Sequence, residues 1–266
     1  MTPGKQVPSR GEQAPGTARV AVVTGANKGI GREIARQLAE RGHVVHLGAR
    51  DPGRGHAAER ELRAEGLDVR FLHLDVTDEN SVALAAKRVA DETGPLHVLV
   101  NNAGIGVPEQ APSQTSAEQV RRVYETNVFG VVTVTNAFLP LLRRAGSARI
   151  VNVSSAVGSL AAAAAREDPS GVFPPGTFPA MLAYGTSKAA LNAVTLAYAN
   201  ELRDTGILVN AASPGFVATD INGHNGVLGV EQGARVPVLL ATLDDDGPTA
   251  AFLGEDGTPG GQVLPW

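Results

Sequence analysis

The sequence predicts an α/β fold: one doubly wound, mostly parallel sheet with helices on both faces. Three observations predict it. From residue 18 onward, short runs rich in valine and isoleucine alternate with amphipathic stretches at helical spacing, the pattern of repeated strand–helix–strand crossovers. The runs are apolar throughout rather than alternating with polar residues, as expected of strands covered on both sides. Glycines cluster at the first strand-to-helix turn, and no break in composition follows, so residues 18–266 read as a single domain.

The elements follow in order. "RVAVVTG" (19–25) is an unbroken apolar run ending at glycine, a fully covered strand. In "GIGREIARQLAERG" (29–42), Ile30, Ile34 and Leu38 share a helical face and Gly42 supplies the C-cap. A strand in "HVVHLGA" (43–49), a helix through "HAAERELRAEG" (56–66) and a strand in "VRFLHLD" (69–75) come next. A helix is predicted from about Glu79 to Glu92, then a strand in "LHVLVNN" (96–102). One long helical stretch from about Ser116 to Arg144 leads to the strand "ARIVNVSS" (148–155). A helix through "AYGTSKAA" (183–190) precedes the strand "ILVNAAS" (207–213), and a short last strand is expected within 249–264. Two stretches interrupt this pattern, 161–182 and 222–237. Loops beyond the strand C-termini form the ligand crevice of such a sheet, so both are placed to cover a site.

Bulk properties exclude several classes. Residues 1–17 are rich in Pro, Gly and polar residues, without the apolar core of a secretory signal, and read as a disordered leader. No stretch is long and apolar enough to span a bilayer. A net charge of −4 gives no electrostatic case for nucleic acid or an anionic membrane as partner. The absence of cysteine rules out disulfides and thiolate chemistry, and the expectation is a cytoplasmic protein. Arg121-Arg122 and Arg143-Arg144 read as helix-surface pairs, and "LDDDG" (243–247) as a solvated acidic turn. The six histidines have no metal-ligand spacing, so no metal is expected.

"TGANKGIG" (24–31) sets Gly25, Gly29 and Gly31 where the first strand turns into the first helix. Glycines there let the backbone approach a pyrophosphate, and the helix N-terminus presents free N–H groups and the positive end of its dipole. An acid near the end of the second strand would favour NAD; here Ala49 fills that slot and Arg50 follows, suited to a 2′-phosphate. Lys28 can add a second charge, while Asp51, just before Pro52, reads as a turn or cap residue. The expected cofactor is NADP(H).

In "AYGTSKAA", Tyr184 and Lys188 stand four residues apart on one helix face. Such a pair arises by chance in about 5% of chains of this composition, so it needs company. The company is "NNAG" (101–104), "VNVSS" (151–155) and "SPG" (213–215), in order behind the glycine cradle. With these motifs the sequence resembles the classical short-chain dehydrogenase/reductase family from about residue 18 to the end, and within it the carbonyl-reductase-like branch. "ARDPGRGHAA", the insertion before the tyrosine and the ending "VLPW" point to that branch.

The resemblance implies a Rossmann-type domain and an NADPH-dependent reductase of a ketone, aldehyde or quinone carbonyl. Tyr184 would be the general acid, with Lys188 lowering the phenol pKa and holding the cofactor ribose. Ser155, preferred to Ser154, would hydrogen-bond the carbonyl, and Asn127 in "TNVFG" would hold a relay water or simply tie a helix kink to the backbone. Gly25, Asn27, Lys28, Gly29, Ile30 and Gly31 would line the cofactor phosphates, with Arg50 at the 2′-phosphate. Asp75 and Val76 would meet the adenine, unless Asp75 is only a helix cap, and Asn101 the adenosine ribose. Ala103 and Gly104 continue that stretch, and Pro214, Gly215, Val217 and Thr219 would face the nicotinamide side. Ser155 and Tyr184 stand 29 positions apart, longer than the usual separation in the family, which marks an insertion before the tyrosine. It would favour a monomer and set Phe173, Phe178 and Met181 near the substrate mouth. Rival readings are a dedicated biosynthetic ketoreductase or epimerase of the same fold, and a non-catalytic NADP-sensing regulator.

Overall fold

The computed structural model describes residues 18–108, 110–168 and 176–266. Its strands are β1 (Val20–Val23), β2 (Val44–Ala49), β3 (Val69–His73), β4 (Val98–Asn101), β5 (Ala148–Val153), β6 (Ile207–Ser213), β7 (Phe252–Gly254) and β8 (Gln262–Val263). They form one sheet in the order β3-β2-β1-β4-β5-β6-β7-β8. Every pairing is parallel except β7 with β8. The expected last strand is thus an antiparallel pair. The order reverses between β1 and β4, and a crevice opens there at the strand C-termini.

Eight helices among the described residues flank the sheet: α1 (Gly29–Glu40), α2 (Pro52–Ala64), α3 (Glu79–Glu92), α4 (Ala117–Tyr124), α5 (Gly130–Ala145), α6 (Leu160–Ala165), α7 (Leu182–Glu201) and α8 (Val230–Ala241). The two-residue period of the strands divides the core into two layers. Ala21, Val23, Val98 and Val100 pack with Ile34 and Leu38 of α1 on one face. Val20, Val22, Leu99 and Ile150 pack with Phe138 and Leu142 of α5 on the other. That is why the strand sequences read as continuous apolar runs.

The long helix expected over 116–144 is divided. Glu125–Phe129 forms a π-helical turn between α4 and α5, a local irregularity frequent at functional sites. Gly130 follows it against the loop after β3, where an added Cβ would lie 2.9 Å from Val76 Cγ2 and 3.0 Å from the Val76 carbonyl oxygen. The leader and Phe173 lie outside the described residues.

Candidate active site

The crevice is a cavity of about 1220 Å³ bounded by the loops that follow β1, β3, β4, β5 and β6. Its floor begins at Gly25, whose φ of +62° turns β1 sharply toward α1. A Cβ there would lie 2.9 Å from Ala103 Cα, and one at Gly31 would overlap the Asn102 amide. The glycines therefore let three backbone segments meet where a side chain would fill the cradle. Hydrogen bonds lock the segments together. Thr24 Oγ1 accepts from the N–H groups of Asn102 (3.0 Å) and Ala103 (2.9 Å), and Asn102 Nδ2 donates to the Thr24 carbonyl (2.9 Å).

Gly25, Asn27, Lys28, Gly29, Ile30 and Gly31 all line this end, together with Arg50, Asp75 and Val76. Arg50 is exposed and, among the described residues, carries no carboxylate partner. Asp51 turns away as the N-cap of α2, its Oδ1 accepting from the Arg54 N–H at 2.9 Å. Asp75 does not cap a helix: Asp78 caps α3, while Asp75 Oδ1 accepts from the Thr77 N–H (3.0 Å) and hydroxyl (2.7 Å). Lys28 is ion-paired to Asp220, which also meets His224 Nε2 at 2.9 Å.

Asn101 is not in the cavity. As the last residue of β4 its side chain points into the layer beneath α5, donating to Asn152 Oδ1 (2.9 Å) and Thr135 Oγ1 (3.1 Å). The residue that lines the cradle is its neighbour Asn102, which sequence reasoning passed over. The strand period of two carried the signal, since adjacent residues face opposite layers.

The other end gathers the chemistry. Strand β5 delivers Ser154 and Ser155, and helix α7 carries Tyr184 and Lys188. Ser154 is buried and donates to Asn192 Oδ1 at 2.6 Å, which ties the strand to α7. Ser155 instead shares a hydrogen bond with the Tyr184 hydroxyl. Gly158 makes the approach close: an added Cβ would lie 2.7 Å from the Lys188 carbonyl carbon. Ala103, Gly104, Pro214, Gly215, Val217 and Thr219 complete the wall as expected positions.

Electrostatics here follow burial. Desolvation pushes the Tyr184 phenol up to about 12, the Ser155 hydrogen bond opposing it. Desolvation also pulls the Lys188 ammonium down to about 8. The expectation that Lys188 lowers the tyrosine pKa is not met in this geometry. Lys188 Nζ donates to the Val153 carbonyl at 2.8 Å and stands 5.6 Å from the ring centroid, so burial dominates. At neutral pH the phenol keeps its proton and the lysine keeps its charge.

Asn127 sits in the π-helical turn, fully buried behind the cavity wall. Its Oδ1 accepts from the Ile105 N–H (2.9 Å), and its Nδ2 donates to the Ile105 carbonyl and the Ser187 hydroxyl (both 3.0 Å). With both amide hydrogens committed, the side chain ties the π-helical turn to the loop after β4 and to α7. Met181 lines the mouth, where Gly106, Phe216 and Ile221, not singled out in the sequence, join it. No metal-ligating cluster occurs among the described residues, and none of their helices is long and apolar enough to cross a membrane.

Comparison with known proteins agrees with this layout. The family model for short chain dehydrogenase matches residues 19–166 and 175–226, breaking at the insertion. (+)-Neomenthol dehydrogenase of Arabidopsis thaliana is 37% identical, covering 89% of this chain and 96% of its own length. Carbonyl reductase [NADPH] 3 of Mus musculus is also 37% identical, covering 86% of this chain and 92% of its own. The NADPH-bound carbonyl reductase from chicken fatty liver superposes with a TM-score of 0.79 at 28% identity, covering 94% of this chain and 99% of that one.

Proposed function

The chain belongs to the short-chain dehydrogenase family, and from that membership and the geometry of the site we propose that it is an NADPH-dependent oxidoreductase that reduces a ketone, aldehyde or quinone carbonyl to an alcohol. One observation carries the reading: the Tyr184 hydroxyl, Ser155 and Lys188 meet on the wall of the same cavity whose far end is a glycine cradle flanked by the unpaired Arg50. The cradle fits the cofactor, since Gly25 and Gly31, where a Cβ would strike Ala103 and Asn102, let the turn close tightly with bare backbone facing the cavity at the start of α1. NADPH, when bound, supplies the hydride to the carbonyl carbon.

The protein's residues do the rest. The N–H groups at the start of α1 take the pyrophosphate, and Arg50, with Lys28 when it exchanges Asp220 for the ligand, takes the 2′-phosphate. Ser155 donates a hydrogen bond to the carbonyl oxygen, and Tyr184 transfers its proton to that oxygen as negative charge develops there. A phenol held near 12 stays protonated until the substrate oxygen becomes basic enough to accept the proton. Lys188 supplies positive charge beneath the site and donors for the ribose hydroxyls. Asn127 acts as a positioning residue, holding the Gly104–Ile105 loop and Ser187 in place.

Loss of absorbance at 340 nm with a panel of carbonyl compounds, run with NADPH and with NADH, tests the reading. Turnover with NADPH is expected, and Tyr184→Phe should lower it by about 10²–10⁴-fold while leaving cofactor affinity intact. Cofactor binding with no turnover of any member, indifferent to Tyr184→Phe, would reject it.

A further inference from the structure

We infer that Gly106, facing Ile221 beside the Tyr184 ring, sets how large an apolar substituent the carbonyl substrate can carry. This rests on the reading of the site as a carbonyl reductase. Gly106 lies in the extended loop after β4, and the position of its missing Cβ is 3.4 Å from Ile221 Cγ1 and 3.9 Å from Tyr184 Cδ2. Those are ordinary van der Waals distances, so an alanine side chain would bridge the gap between the two residues without overlap. Its absence leaves a methyl-sized recess in the cavity wall beside the Tyr184 ring.

The residues around that recess define what can pack against it. Ile105, Val107, Val157, Met181 and Phe216 line this half of the cavity. Ile221, on the short 3₁₀ turn Asp220–Asn222, is half exposed and adds its apolar side chain to this half of the cavity. Among the described residues, the charged groups nearest the mouth, Asp220 and His224, bind each other, and Asp220 also holds Lys28. The substrate is a carbonyl compound whose larger, apolar group packs against the recess at Gly106, next to Ile221 and the Tyr184 ring.

The test compares 1-tetralone with 2-butanone. Gly106→Val should lower kcat/KM for 1-tetralone at least about tenfold more than for 2-butanone, the scale of discrimination that steric changes in an apolar pocket produce. Gly106→Ala should shift the ratio in the same direction by less, and Ile221→Ala should shift it the opposite way. NADPH affinity, followed by its fluorescence, reports whether each variant keeps the cradle intact. The same two ketones are titrated calorimetrically into the Tyr184→Phe protein saturated with NADP⁺, with and without Gly106→Val. This arm reads size selection even if wild-type protein turns over neither ketone, an outcome that counts against the proposed activity alone. A tetralone-to-butanone ratio unmoved by Gly106→Val in the binding arm, or no tetralone binding to the complex, would overturn the role of Gly106.

Discussion

Lys188 carries the conflict between stability and function at the scale of one residue. Its ammonium is buried with a single carbonyl for company, and its fall from 10.5 to about 8 is equivalent to about 3 kcal/mol of folding free energy. The sign follows from linkage. A base whose folded pKa is depressed binds fewer protons folded than unfolded between the two values, so the penalty is complete below pH 8 and is relieved as pH rises toward 10.5. Lys188→Met should therefore raise the thermal midpoint at pH 7. The unpaired Val153 carbonyl offsets about 1 kcal/mol, leaving roughly 2 kcal/mol, or about 5 °C for a domain of this size. The advantage over wild type should shrink from pH 8 to pH 10.5 in scanning calorimetry, while reductase activity is lost at every pH. A variant less stable than wild type at pH 7 would show that the lysine is not held at a cost.

Elements set the distances between catalytic groups, and the contact of the 3₁₀ turn after β5, Ala156–Gly158, with α7 is the critical one. Gly158 and Lys188 touch through backbone, with Cβ positions of 2.7 Å to the Lys188 carbonyl carbon and 2.9 Å to the Ala189 nitrogen. Neither backbone atom can rotate away. Gly158→Ala must push α7 off that turn, which separates Tyr184 from Ser155. The expected cost is about 1–3 kcal/mol in stability and up to about 10²-fold in kcat, with NADPH affinity weakened less than kcat because Lys188 moves with α7 while the cradle at the start of α1 is untouched. Unaltered kcat would mean that the helix is not positioned by this contact. The strands, most helices and the order of the motifs were legible in the sequence because apolar period and glycine placement are local properties. The π-helical turn at Glu125–Phe129 was not, since the Gly130 that follows it meets Val76 from the loop after β3, far away in sequence. The choice between Asn101 and Asn102 was within reach of the strand period, but Lys28 binding Asp220 depends on where a loop 192 residues away comes to rest.

Across the whole molecule the sheet separates function from support. The C-terminal ends of the strands hold the cavity, whereas the opposite end holds Arg149, 1% exposed, at the start of β5. Its guanidinium donates to the Leu243 carbonyl (2.8 Å), the Ala148 carbonyl (2.9 Å) and Asp245 Oδ1 (2.7 Å). The "LDDDG" turn is thus more than a solvated acidic loop, because Asp245 is the counter-charge that lets Arg149 be buried beneath it. It also faces Arg19, whose guanidinium is depressed by desolvation and then by Arg149, with Asp245 opposing both. Removing the carboxylate leaves two cations at one strand end with nothing between them, so Asp245→Ala should lower the thermal midpoint, and added salt should recover part of the loss by screening. The Ser147 hydroxyl and then Arg149 hold the Asp245 carboxyl below its usual value. Its contribution is therefore complete above the unfolded pKa near 4 and is lost as pH falls through the lowered folded one. The wild-type advantage should disappear over that acid range. Because the strands hold the two ends apart, kcat and NADPH affinity of the variant at 25 °C should match wild type. A variant that lost activity at that temperature while remaining folded by circular dichroism would show that the two ends are coupled.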